Sequence, residues 1–276
     1  MTQTGGTPAQ RPVPATTLID LTGRTAIVTG AAVGIGYGIA YRLAEAGAAV
    51  VVADLDGAAA ELAAKQLVDV GFEAVPVQAD VADEEDVRRM VRAAVDRFGG
   101  VHILVNNAGI YPAIPVLGQA LADFRRVIDV NLTGVFLCVR EAAQQMIVQG
   151  AGGRIITVTS IDALHPSAVG LADYDASKHG VWGFTKNVAL ELAPHGIAVT
   201  AIAPGGIATP GITARAGAVP EGIDLEQLAA QFVARIPMGR LGDPDEIGRV
   251  ALFLASDLAS YMTGAQVVVD GGALLR

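Results

Sequence analysis

From Arg24 the chain runs through a short apolar block, Ala26, Ile27 and Val28, and is stopped by Gly30. It then passes Val33, Gly34, Ile35 and Gly36 into a helical pattern that ends at Gly47. That order of strand, glycine turn and helix leaves the backbone bare at one place. Side chains at Gly30, Gly34 and Gly36 would keep a phosphate from the N–H groups of the turn and from the positive end of the following helix. The spacing Gly-x-x-x-Gly-x-Gly, with Thr29 in front, reads as the opening of a dinucleotide-binding unit. A tight turn without a ligand is the plainer reading, and the pattern around it weighs against that.

The alternation repeats down the chain. Ala48 to Asp54 is a second apolar run, and its terminal acid lies 18 positions after Gly36, near the ~20 expected of a carboxylate that meets a ribose. Asp54 would accept from ribose hydroxyls and repel a 2′-phosphate, and its neighbours Val33, Leu55 and Asp56 bring no positive charge. NAD is therefore expected over NADP. Capping of the next helix would also employ Asp54, a task that Asp56 can do equally well. The run from Ala74 to Asp80 holds Pro76, which cannot donate to a ladder on both sides, so this strand belongs at an edge. His102 to Asn106, Arg154 to Thr159 and Gly196 to Gly205 read as further buried strands. Strands alternating with helices predict an α/β fold, a single Rossmann-type doubly wound domain over residues 18–276 with a seven-stranded parallel sheet and helices on both faces. Residues 1–17 read as a flexible extension, with no apolar block of the secretory kind.

With 276 residues, 52% of them hydrophobic, the chain can fill one large core. A net charge of -9 argues against nucleic acid and anionic membrane surfaces as partners. The mean hydropathy of +0.46 would suit a membrane protein, yet no apolar run approaches the ~20 residues of a spanning helix. One cysteine, Cys138, excludes an internal disulfide, and His102, His165, His179 and His195 lack metal-ligand spacing, so no metal is expected. The setting expected is cytoplasmic.

The densest chemistry lies between Ser160 and Lys178. A helix opening near Ala172, supported by Val181, Phe184, Val188 and Leu192, places Tyr174 and Lys178 on one face, one helical turn apart. An ammonium beside a phenol favours the phenolate, giving a proton-transfer group drawn toward neutral pH. Ser160 brings a hydroxyl to the end of a buried strand, where parallel sheets build their sites. Ser167 is the rival hydroxyl, without that placement.

A tyrosine and lysine at this spacing occur by chance in many helices. Taken with the glycine turn, and with Asn106, Asn107, Ala108 and Gly109 closing the fourth strand, they make the chain resemble the classical short-chain dehydrogenase/reductase family from about Leu21 to Gly272. The resemblance implies hydride transfer between a nicotinamide dinucleotide and a secondary alcohol or ketone, with Ser160, Tyr174, Lys178 and Asn131 as the catalytic set. Tyr174 would take the hydroxyl proton in oxidation and Ser160 would hold the substrate oxygen. Lys178 would depress the tyrosine pKa and bind ribose hydroxyls, and Asn131 would support the relay of the proton to solvent. Without that role, Asn131 is a buried amide that bends the helical stretch from Ala120 to Gln149. Cofactor contacts are implied at Gly30, Val33, Gly34, Ile35 and Gly36, at Asp54 and Leu55, and at Asp80 and Val81 beside the adenine. Further contacts are implied at Asn107, Ala108 and Gly109, at Tyr174 and Lys178, and at Pro204, Gly205, Ile207 and Thr209.

Ser160 and Tyr174 stand 14 residues apart, one more than the family's common pattern, so the insertion falls in the loop expected to face the substrate. Asp162 and His165 in that loop could meet substrate hydroxyls or only satisfy the loop. Tyr111 to Leu117 and Gly211 to Ile236 would form other walls, the latter as a mobile lid. Three alternatives stay open: an NADP-dependent 3-oxoacyl-carrier-protein reductase, opposed by Asp54; a polyol or sugar dehydrogenase; and a catalytically inactive nucleotide-binding scaffold, opposed by the presence of all four catalytic groups. The resemblance also implies a homotetramer, with the helices around Ala120 to Gln149 and Tyr174 to Leu192 at one interface.

Overall fold

The computed structural model describes residues 12–209 and 225–276. Seven strands, β1 (Thr25–Thr29), β2 (Ala49–Asp54), β3 (Ala74–Gln78), β4 (Ile103–Asn106), β5 (Gly153–Val158), β6 (Ile197–Pro204) and β7 (Gln266–Val269), form one sheet in the order β3-β2-β1-β4-β5-β6-β7. Every pairing between neighbours is parallel. The helices are α1 (Ala15–Leu18), α2 (Gly34–Glu45), α3 (Gly57–Asp69), α4 (Glu84–Phe98), α5 (Leu121–Ile128), α6 (Gly134–Gln149), α7 (Ala172–Leu192), α8 (Leu225–Ala234) and α9 (Pro244–Ala255).

The doubly wound sheet expected from the alternation is the one observed. Its central strands read as unbroken apolar runs because helices cover both faces. Val28, Val50, Val52, Val105 and Ile156 pack with Ile39, Leu43, Leu67 and Ile247 of α2, α3 and α9. Alternate residues Ile27, Val51, Leu104 and Ile155 pack on the other side with Met90, Met146 and Val181 of α4, α6 and α7. Cys138 is buried in this second core. Pro76 lies in β3, which is an edge strand, paired in register with Val52.

Helix starts follow local chemistry. Asp56 caps α3 by accepting from Ala59 N–H at 3.1 Å, and Asp83 caps α4 by accepting from Asp86 N–H at 2.9 Å. The stretch read as one helix from Ala120 to Gln149 is α5 and α6 joined by a π-helical turn, Asp129–Thr133, and the wider turn carries Asn131. Residues 15–17, expected within a flexible extension, form a single helical turn with Leu18. Residues 1–11 lie outside the described residues. So does much of the lid expected at 211–236, of which α8 is described. Among the described residues no helix is long and apolar enough to cross a membrane.

Candidate active site

The glycine turn between β1 and α2 is shaped so that only glycine fits. Gly30 and Gly34 hold φ of 61° and 59°, a region that disfavours other residues. A Cβ on Gly36 would lie 2.0 Å from the Gly30 carbonyl oxygen, and one on Gly30 would lie 2.9 Å from the Ala108 Cα. The end of β4 clamps this turn. Asn107 Nδ2 donates to the carbonyls of Thr29 (3.0 Å) and Gly30 (2.9 Å), while Thr29 Oγ1 accepts the N–H groups of Asn107 and Ala108, both at 3.1 Å. At the end of β2, the Asp54 carboxylate accepts Ala32 N–H at 3.0 Å and Asp56 N–H at 3.2 Å.

A cleft of about 800 Å³ opens over these residues, walled by Gly30, Asp54, Leu55, Asp80, Val81, Asn107, Ala108 and Gly109. A bare, positively polarised turn beside a carboxylate and a cleft of this size fit a dinucleotide. Val33 at the start of α2 is more than half exposed, and Leu55 likewise. Pro204 ends β6, and Gly205 N–H donates to the Val269 carbonyl at 3.0 Å. The Ile207 side chain is turned into the core, which leaves its backbone for any ligand. The opposite wall of the cleft is α5 and the turn after it, with Arg125, Arg126 and Asp129. Sequence reading missed these three; adjacent arginines in the helix leading to Asn131 were the available signal.

The catalytic candidates gather behind Gly109, beside the cleft and outside its lining. Ser160, two residues past β5, is 6% exposed, and its hydroxyl interacts with that of half-buried Tyr174 from α7. Lys178, one turn on and 5% exposed, donates to the Val158 carbonyl at 2.8 Å, its Nζ 5.6 Å from the Tyr174 ring centre. The Tyr111 ring meets that of Tyr174 edge-on at 5.7 Å. Asn131, wholly buried, pairs with the backbone of Ile110: its Oδ1 accepts the N–H at 2.8 Å and its Nδ2 donates to the carbonyl at 2.9 Å, as well as to Ser177 Oγ at 3.1 Å. Gly109 connects the cleft wall to this set, since a Cβ there would stand 3.2 Å from Asn131 Oδ1 and 3.6 Å from Lys178 Nζ.

Among the loop residues, Asp162 is 6% exposed and bound to Ser160, whereas His165 and Ser167 are exposed. Of the two rival hydroxyls, the structure brings Ser160 to Tyr174.

Electrostatics in the protein alone departs from the expected pairing. Burial pushes the Lys178 ammonium down from 10.5 to about 8 and drives the Tyr174 hydroxyl well above its ordinary value. Lys178 donates its hydrogen bond to the Val158 carbonyl, and while the Ser160 hydroxyl favours the phenolate, Asp162, Tyr111 and Asp175 oppose it. A stability effect follows. The unfolded chain keeps the Lys178 proton up to its ordinary pKa of 10.5, while the folded chain releases it near 8. Between those values the unfolded state binds more protons, so this group's contribution to stability rises with pH. Denaturant unfolding without added cofactor should show that rise from pH 8 toward 10, and Lys178→Met should flatten it.

A bare glycine turn, and a Ser, Tyr, Lys and Asn set gathered at the carboxyl ends of a doubly wound parallel sheet, mark the class of α/β protein to which this chain belongs. A family model described as Enoyl-(Acyl carrier protein) reductase matches residues 30–273. The chain is 41% identical to the 3-oxoacyl-[acyl-carrier-protein] reductase of Synechocystis sp., over 92% of this chain and 98% of that one. It is 43% identical to 3beta-hydroxysteroid dehydrogenase 1 of Eggerthella lenta, over 93% and 95% of the two chains. A crystal structure from Beutenbergia cavernae, provisionally described as an NAD(P) dependent gluconate 5-dehydrogenase with bound NADP at low occupancy, superposes with a TM-score of 0.86 at 37% identity, covering 94% of this chain and all of the other. The chain belongs to the classical short-chain dehydrogenase/reductase family of oxidoreductases.

Proposed function

We propose that the protein is an NAD-dependent oxidoreductase that moves a hydride between the nicotinamide and a secondary alcohol or ketone. The observation carrying this reading is the gathering of Ser160, Tyr174, Lys178 and Asn131 beside the cleft, next to Gly109 of its wall. The nicotinamide, when bound, supplies the hydride acceptor or donor. Tyr174 takes the hydroxyl proton of an alcohol at its phenolic oxygen, or returns it to a ketone oxygen, and Ser160 holds the substrate oxygen beside it. Lys178 stabilises the phenolate and, with the cofactor bound, would donate to its ribose hydroxyls. Asn131 fixes the backbone of Ile110 under them and supports the relay from Lys178 to solvent. Exposed Leu117, Leu164 and Val169 on the two substrate loops favour a moderately apolar substrate.

Asp54 supports NAD over NADP: its carboxylate lines the cleft with Leu55, and Val33, Leu55 and Asp56 bring no positive charge. Thermal-shift titration should show a larger stabilisation by NADH than by NADPH. Asp54→Asn keeps an acceptor for Ala32 N–H and removes the charge, and should move the preference toward NADPH by about tenfold, about 1.4 kcal/mol. Greater stabilisation of the unaltered protein by NADPH overturns the cofactor assignment. NADP-dependent ketone reduction then takes its place, a reading favoured by the Synechocystis relative's name and the NADP in the B. cavernae structure. The proposal includes one domain over residues 18–276 behind an extension at 1–17, a cytoplasmic setting, and a homotetramer. Exposed Phe136 of α6 and Leu190 of α7 favour contact through those helices, and light scattering tests the assembly.

A further inference from the structure

Asp162 is a buried acid that the proposed chemistry leaves unused. It sits in the 3₁₀ turn Ile161–Ala163 that follows Ser160, and both of its oxygens are engaged. Oδ2 accepts the Ser160 hydroxyl at 2.8 Å, and Oδ1 accepts Ser167 N–H at 2.9 Å. Asp162 N–H in turn donates to Ser160 Oγ at 3.1 Å. A serine hydroxyl has a single proton. The Ser160 contact by itself favours the Tyr174 phenolate, but the single serine proton is turned toward the Asp162 carboxylate, which leaves Ser160 to accept from the Tyr174 hydroxyl rather than donate to it.

We propose that Asp162 is a positioning residue that acts on Tyr174 through Ser160, keeping the serine an acceptor and the tyrosine protonated. The inference rests on the reading of Ser160 and Tyr174 as the reacting pair. Its chemical consequence is a preference of the Ser160 oxygen for a hydroxyl, which donates, over a ketone oxygen, which must be donated to. The other groups that bear on the Tyr174 hydroxyl are Tyr111, Asp175 and Lys178, with Asp173 and His179 acting on Asp175.

Asp162→Asn separates the roles. The amide oxygen still accepts Ser167 N–H, so the loop keeps its tie, while the amide nitrogen donates to Ser160 Oγ and frees the serine proton for the phenolate. The measurement is the near-ultraviolet absorbance of phenolate during alkaline titration of the NAD-saturated protein, with the curve of the matching Tyr174→Phe variant subtracted. In Asp162→Asn the Tyr174 step should move to lower pH by roughly one unit. In a Ser160→Ala background the same substitution should give a clearly smaller shift, because only the through-space charge remains. Coincident curves for the unaltered and Asp162→Asn proteins overturn the proposal, and so does an equal shift with and without Ser160. Turnover of secondary alcohols retained in Tyr174→Phe sinks the underlying reading itself, an outcome read independently of the titrations.

Discussion

With phenylalanine at position 174, turnover of any secondary alcohol that the protein oxidises falls by about 10²- to 10⁴-fold, and NADH still binds. Tyr174→Phe deletes one oxygen and keeps the ring that meets Tyr111 edge-on at 5.7 Å and lies under Lys178. The pocket wall therefore stays, and what disappears is the atom that exchanges a proton with the substrate. Burial holds that oxygen protonated in the protein alone, so oxidation should also speed up with rising pH until the phenolate is available. Steady-state rates across alkaline pH, with NADH affinity measured separately by thermal shift, check both statements. A variant that turns over normally places the proton transfer elsewhere.

Gly36→Ala is expected to strike the cofactor and the fold together. The new methyl would stand 2.0 Å from the Gly30 carbonyl oxygen, which belongs to backbone tied down by Asn107. Nothing there can swing aside as a long side chain would. Overpacking of this kind costs roughly 3 kcal/mol, a fall of roughly 5–10 °C in melting temperature, and the distorted turn should no longer respond to NADH. Differential scanning calorimetry with and without NADH measures both effects. A variant that melts like the parent and is stabilised by NADH would mean that the turn is looser than its geometry implies.

What could be read before the structure was whatever depends on neighbours in the chain. Gly30, Gly34 and Gly36 announce their turn because their spacing is itself the geometry. Tyr174 and Lys178 share a face because one helical turn separates them. Pro76 declares an edge because it lacks a donor. The parallel sheet with helices on both faces followed from those alternations. What stayed hidden depends on where loops return. The tie from Asp162 to Ser160 looks from sequence like one more acid in a loop. Arg125 and Arg126 become a cleft wall only once α5 is laid across the carboxyl ends of the strands. The π turn around Asn131 came as a departure from one continuous helix, although the amide among apolar neighbours had marked the place. The phenol driven upward rather than toward neutrality reflects tertiary burial, which outweighed the single charge visible at helical spacing.

Pro76 has a consequence beyond locating an edge. Along β3 the N–H groups alternate in direction, and Ala79 N–H points inward to the Asp54 carbonyl at 2.9 Å. Pro76, three residues earlier, has the opposite parity, so the donor it lacks belongs to the outer rim. A stray strand arriving there finds a gap in the middle of the short row it would need to match. Strand addition, the usual way an open sheet recruits other chains into aggregates, is therefore blunted on this side by one ring that costs the inner pairing with β2 nothing.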